Sequence, residues 1–221
     1  MVDRAQRHFR IKDPFCGVSH GIGAALSLAA LITLLVVAGG RVWHTVSFAV
    51  YGATLIILYS ASCLYHSLMV EERHVERLMR FDHVGIFLLI AGTYTPVCLV
   101  VLRGPWGWSM FAAEWVMAAI GIAGIMLLKR MPSWLRVVIY LGMGWLAVIA
   151  LAPLRAALPP AAIAWLFAGG IVYSVGTVIY ATEWPDLWPG RFTAHDLWHL
   201  FVLGGSACHF VMMLAFIAPR G

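Results

Sequence analysis

Apolar runs of about 20 residues recur from one end of this chain to the other, and they leave very few folds open. The hydrocarbon core of a bilayer is about 30 Å thick, which a helix rising 1.5 Å per residue crosses in about 20 residues. Only helices and closed barrels satisfy every backbone N–H and C=O group there. Barrel strands would show period-two alternation over short segments, and these runs do not. The sequence therefore predicts an all-α integral membrane protein, a seven-transmembrane helix bundle. The spans fall at roughly 19–39, 43–68, 82–103, 106–128, 134–155, 160–182 and 195–218. Residues 1–18 form a polar, basic tail and residues 19–218 the transmembrane domain. Breakers and charges separate the spans: Gly39-Gly40, the charged 71–80 stretch, Gly104-Pro105, Lys129 to Pro132, Pro159-Pro160, and Pro185 with Pro189.

Composition excludes the alternatives. With 62% hydrophobic and 11% charged residues the chain is no ordinary soluble domain, and 221 residues leave no room for a second globular module. The first apolar run is full length, so it reads as a span and not as a signal peptide. Cys16, Cys63, Cys98 and Cys208 form no CxxC pair and no disulfide framework. The formal charge of +5 lies in short loops between spans, where basic residues set orientation; no nucleic-acid partner is expected. Arg4, Arg7, Arg10, Lys12, Arg73, Arg77, Arg80, Lys129, Arg130, Arg136 and Arg191 fall on the N-terminal side, against Arg41, Arg103, Arg155 and Arg220 on the other. Eleven against four places the N-terminus in the cytoplasm and the C-terminus outside, in a plasma membrane (the inner membrane in a bacterium).

Ionisable residues inside spans are costly and call for a functional account. The last span opens with His195 and His199, four residues apart and so on one helix face. The second span ends with Ser62 and His66 at the same spacing, and the third opens with Asp82. The topology places all five at one depth, near the cytoplasmic face. Three histidines with an open fourth position make the ligand set of a catalytic zinc, which acidifies a bound water and polarises a carbonyl. The segment HDLWH is not HExxH, so Asp82 is the candidate general base, and Ser62 could orient a ligand or donate to an oxyanion.

Plainer readings compete with each assignment. An HxxxH pair can serve as interhelical hydrogen-bond glue, Asp82 as a helix cap, and Ser62 as a packing residue. His209 lies ten residues past His199, about 15 Å deeper, and suits a buried hydrogen bond. His20 either supports a ligand from behind or lies on the surface, His83 packs or supports a ligand, and His74 belongs to a solvated loop. Cys63 shares a face with His66 and could ligate, or it simply packs. Glu114 belongs to a different site or pairs locally.

The pattern Ser62-x-x-x-His66, Asp82-His83 leading into IFLLIAGTYTP, and His195-x-x-x-His199 followed by FVLGGSACHF resembles the hemolysin III family. That family sits with the progestin and adipoQ receptors (PAQR), in a wider superfamily of membrane hydrolases that includes alkaline ceramidases. The resemblance covers nearly the whole chain, and a plain chain of this length resembles the bacterial branch, which has been linked to membrane lipid homeostasis. It implies a Zn2+ held by His66, His195 and His199, with Asp82 reaching it through a water and Ser62 nearby. His209 matches a recurrent family position without an assigned role, and Glu114 matches none.

The leading expectation is thus a zinc-dependent hydrolase of a membrane lipid amide or ester, with an acyl chain lying between helices. The alternatives are a receptor-like or regulatory protein with structural zinc, favoured by closed four-ligand coordination, and a pore or channel. Haem held by the paired histidines is disfavoured by the resemblance.

Overall fold

The computed structural model describes residues 12–128 and 131–220. Arg4, Arg7, Arg10, Lys129 and Arg130, which entered the orientation argument, lie outside them. Eight α-helices follow in order: α1 (Pro14–Ala38), α2 (Val42–Ser67), α3 (Glu72–Pro96), α4 (Pro105–Leu127), α5 (Ser133–Gly144), α6 (Leu151–Ala157), α7 (Pro160–Thr182) and α8 (Ala194–Met212). A π-helical turn extends α3 over Val97–Val101 and another extends α8 over Met213–Ile217. Six of these helices are long and apolar enough to cross a membrane, and a seventh span is formed if the bent α5–α6 pair counts as one. The all-α, multi-pass expectation is met.

Three features depart from the expected spans. Helix α1 starts at Pro14, ahead of residue 19, because proline in the first turn loses no hydrogen bond. Helix α3 starts at Glu72, so the charged 71–80 stretch, with His74, is not a loop. It is an exposed, charged extension of the spanning helix, where Arg80 pairs with Glu76 one turn away at 2.8 Å. The fifth span is not continuous: α5 and α6 are bent by 51° around the 3-10 turn Leu146–Val148. Pro153 cannot donate to the carbonyl of residue 149, so it is tolerated only in the first turn of a new helix, where it stands in α6. Backbone groups freed at the break need partners away from water. The Tyr94 hydroxyl supplies two, donating to the Gly144 carbonyl at 2.9 Å and accepting from the Ala147 N–H at 2.8 Å.

Helix α1 packs on α2 and α8, α2 on α3, and α3 on α4 and α5, while α7 packs on α8 and α5. Positive φ at Gly39 and Gly40 makes the tight turn from α1 to α2. The Arg41 guanidinium beside it donates to the carbonyls of Ala218 and Arg220, tying this turn to the end of α8. The centre is held by a polar knot among α2, α7 and α8. The Tyr59 hydroxyl donates to Ser206 Oγ at 2.6 Å, and Tyr173 meets the same oxygen at 2.8 Å. Large apolar side chains such as Val36, Ile120 and Val175 face outward, as a lipid-facing surface requires.

One close approach bears directly on the site. A Cβ on Gly85 would lie 2.9 Å from the Leu58 Cα, so α2 and α3 touch backbone to backbone there. Gly85 is one turn from Asp82 and Leu58 one turn from Ser62, which brings those two side chains to the same place. Gly85→Ala is expected to push the helices apart and to destabilise the bundle by about 1–3 kcal/mol. Thermal unfolding in detergent reads this; an unchanged midpoint would mean that the contact is not needed.

Candidate metal centre

Three helix ends converge on one cluster. Thr193 caps α8: its hydroxyl accepts from the Asp196 N–H, and Asp196 Oδ2 accepts from the Thr193 N–H at 2.8 Å. This reciprocal cap sets where the helix begins. It thereby places His195 and His199 in the first two turns on one face, with their Nε2 atoms 3.3 Å apart. His66 arrives from the last turn of α2, its ring 4.8 Å from that of His199 and 5.2 Å from that of His195. Cys16, from the first turn of α1, completes the group.

The ligand atoms of Cys16, His66, His195 and His199 all lie within 4.8 Å of one another, and Cys16, His66 and His199 are buried. One of the converging ligand atoms has no partner of its own. His66 Nε2 is buried without a hydrogen bond, an arrangement that costs free energy unless something else is bound. His199 Nδ1 is unpartnered too, but it is not the nitrogen that faces His195. Bonds of about 2.0–2.1 Å place neighbouring donors of a tetrahedron about 3.3–3.4 Å apart. The His195–His199 separation of 3.3 Å matches that edge. This is a His/Cys cluster that could hold a metal ion.

Carboxylates stand behind the cluster. Asp13 grips His66 twice: its N–H donates to the His66 carbonyl at 2.8 Å, and its Oδ2 lies 2.9 Å from Nδ1. A carboxylate on one imidazole nitrogen fixes the ring and directs the other nitrogen as a ligand, which here is the unpartnered Nε2. Asp196, already part of the α8 cap, accepts from the Cys16 thiol at 3.2 Å through its other oxygen.

Asp82 and Ser62 are not members of the four-residue group. They line a cavity of about 180 Å³ whose wall also includes His195 and His199. The Ser62 side chain faces the Asp82 carboxylate there. The cavity shares the walls Leu58, Ile86, Tyr140, Thr177, Trp198 and Val202 with a second one of about 120 Å³. The second is almost wholly apolar and runs on between the helices to Tyr173 and His209.

The remaining candidates sort themselves by place. His20 is buried, not on the surface, and packs on His199 with ring centroids 3.9 Å apart. His83 bonds the Met79 carbonyl at 2.6 Å and lines the cavity near Asp82. Cys63 contacts Ser67 and lies outside the cluster. His209 is buried, as expected, and stacks on Tyr173, but its Nδ1 has no hydrogen-bond partner among the described residues. Glu114 is fully buried with neither oxygen hydrogen-bonded, so of its two readings, a different site or a local pairing, the pairing is not seen among the described residues.

Sequence reasoning missed Cys16, Asp13 and Asp196. The signal was available for the first: Cys16 and His20 are four apart, a one-face pair like the others. A first span opening at residue 19 leaves Cys16 in the tail and so hides the pair, whereas α1 begins at Pro14.

Fold and cluster together define a class, a multi-pass helical membrane protein with a buried His/Cys site between its helix ends. A family described as "Haemolysin-III related" matches residues 9–210, and the chain belongs to that family. Over 205 residues it is 42% identical to the Hemolysin-3 of Bacillus cereus, covering 91% of this chain and 90% of that protein. It is 40% identical over 209 residues to the Hemolysin-3 homolog of Bacillus subtilis (strain 168), covering 93% and 95%. Similarity extends, at 26% identity over 172 residues, to the human Monocyte to macrophage differentiation factor, with 76% and 69% covered.

Proposed function

We propose that the chain is a zinc-dependent hydrolase of a membrane lipid amide or ester, acting in membrane lipid homeostasis. The observation that carries this reading is that two cavities lie side by side and share one wall. One carries the polar groups of Asp82 and Ser62 beside His195 and His199, and the other is almost wholly apolar. A lipid needs both, a polar place for the carbonyl and an apolar place for the chain.

His66, His195 and His199 would hold the ion, and a nitrogen-rich donor set with sulfur at hand suits zinc. When bound, the ion supplies a Lewis acid for the substrate carbonyl and lowers the pKa of a bound water. Asp82 takes the proton of the attacking water at its carboxylate and passes it to the leaving group. Ser62 orients Asp82 or donates to the carbonyl oxygen as negative charge develops there. The apolar walls exclude bulk water and align the chain. Basic loop residues favour the N-terminus and this end of the bundle on the cytoplasmic side of a plasma membrane.

The test uses purified full-length chain in detergent, offered N-acyl lipid amides and lipid esters. Release of fatty acid should stop with a chelator and return with added zinc. Metal-loaded protein that hydrolyses neither class would sink the enzyme reading. One observation favours the second reading, a receptor-like or regulatory protein with structural zinc: Cys16 stands with the three histidines as a fourth donor.

A further inference from the structure

We infer that Cys16 is a fourth ligand of the metal centre, so that the resting site is closed by one cysteine and three histidines and water gains the ion only when this thiolate gives way. The inference rests on the metal reading above and assigns a residue which that reading leaves without a role.

Cys16 is buried, and its sulfur lies within the 4.8 Å group formed with the three histidines. It does not stand there alone. The buried, unpartnered Nε2 of His66, whose Nδ1 is held by Asp13, points to a ligand missing from the protein's own hydrogen bonds. Cys16 is also the third residue of α1, and the first turn of a helix favours negative charge. The proton has a destination: on coordination the S–H bond breaks, its electron pair goes to the ion, and Asp196 Oδ1, which already accepts that hydrogen at 3.2 Å, receives the proton. The reverse transfer lets the sulfur leave as a neutral thiol held by the same carboxylate.

The placement also gives direction. His195 and His199 form part of the cavity wall that carries Asp82, whereas Cys16 and His66 are not part of that wall among the described residues. Water and substrate therefore arrive from the Asp82 side, and the thiolate yields on the other. This reconciles a four-donor cluster with hydrolysis: the site is closed at rest and opens by exchange of one ligand, with the three histidines keeping the ion.

Cobalt makes the assignment readable without any activity. The reduced full-length chain would be loaded with Co2+ in detergent and its absorption compared with Cys16→Ser and with Cys63→Ala/Cys208→Ala. We expect one cobalt per chain and a sulfur-to-cobalt charge-transfer band in the near ultraviolet. The band should be lost in Cys16→Ser, with the visible bands of a histidine-bound ion retained, and be unchanged in Cys63→Ala/Cys208→Ala. A wild-type chain that binds one cobalt without the band overturns the Cys16 assignment and leaves the three-histidine site standing, whether or not Cys16→Ser folds. A band that survives in Cys16→Ser overturns it as well. Wild-type protein that binds no cobalt removes the metal site itself, and both readings with it.

Discussion

Asp82→Asn is expected to leave the metal content at its wild-type level and to cut hydrolysis by about 10²–10⁴-fold. The two halves of this expectation have separate causes. Metal is retained because Asp82 is not one of the residues whose ligand atoms converge; those are Cys16, His66, His195 and His199. Hydrolysis fails because asparagine keeps the shape and the contact with Ser62 but cannot take a proton from water. The substitution is close to isosteric, so α3 should keep its approach to α2 at Gly85 and Leu58. Metal analysis and fatty-acid release on the same preparation check both halves. Wild-type turnover in Asp82→Asn would show that the base is elsewhere; lost metal would show that the carboxylate is a ligand.

What could be read in advance follows from the range of the interactions involved. Hydropathy over some 20 residues is a local property, and it located the spans. The spacing of His195 and His199, and of Ser62 and His66, is equally local, and loop charge brought those pairs and Asp82 to one depth. The break between α5 and α6 is different. Pro153 permits it, but the groups it frees are satisfied by Tyr94, some 50 residues away, and no window around the break contains that hydroxyl. The bond between Cys16 and Asp196 spans 180 residues, and the Asp13–His66 pair spans 53. In the sequence Asp13 is one residue of the polar tail, and nothing local marks Asp196 as a partner of Cys16. Asp196 is part of the α8 cap, and its second oxygen serves the cluster as well.

The double variant His195→Ala/His199→Ala is expected to lose the metal altogether, from about one ion per chain to none. It leaves His66 and Cys16 as a pair on separate helices, too few donors for a tetrahedral site. Stability should follow the metal. An ion that binds only the folded bundle stabilises it by about 2.7 kcal/mol at a free concentration 100 times Kd. A chelator should therefore lower the unfolding temperature of the wild type and leave that of the variant unchanged. The variant should also start lower, because His199 is only 2% exposed and packs ring to ring with His20, so its loss opens a buried void between α1 and α8. Elemental analysis beside thermal unfolding distinguishes these effects. A folded wild-type protein that holds no metal and ignores the chelator would leave His195 and His199 as hydrogen-bond partners 3.3 Å apart. Their replacement would then cost only packing.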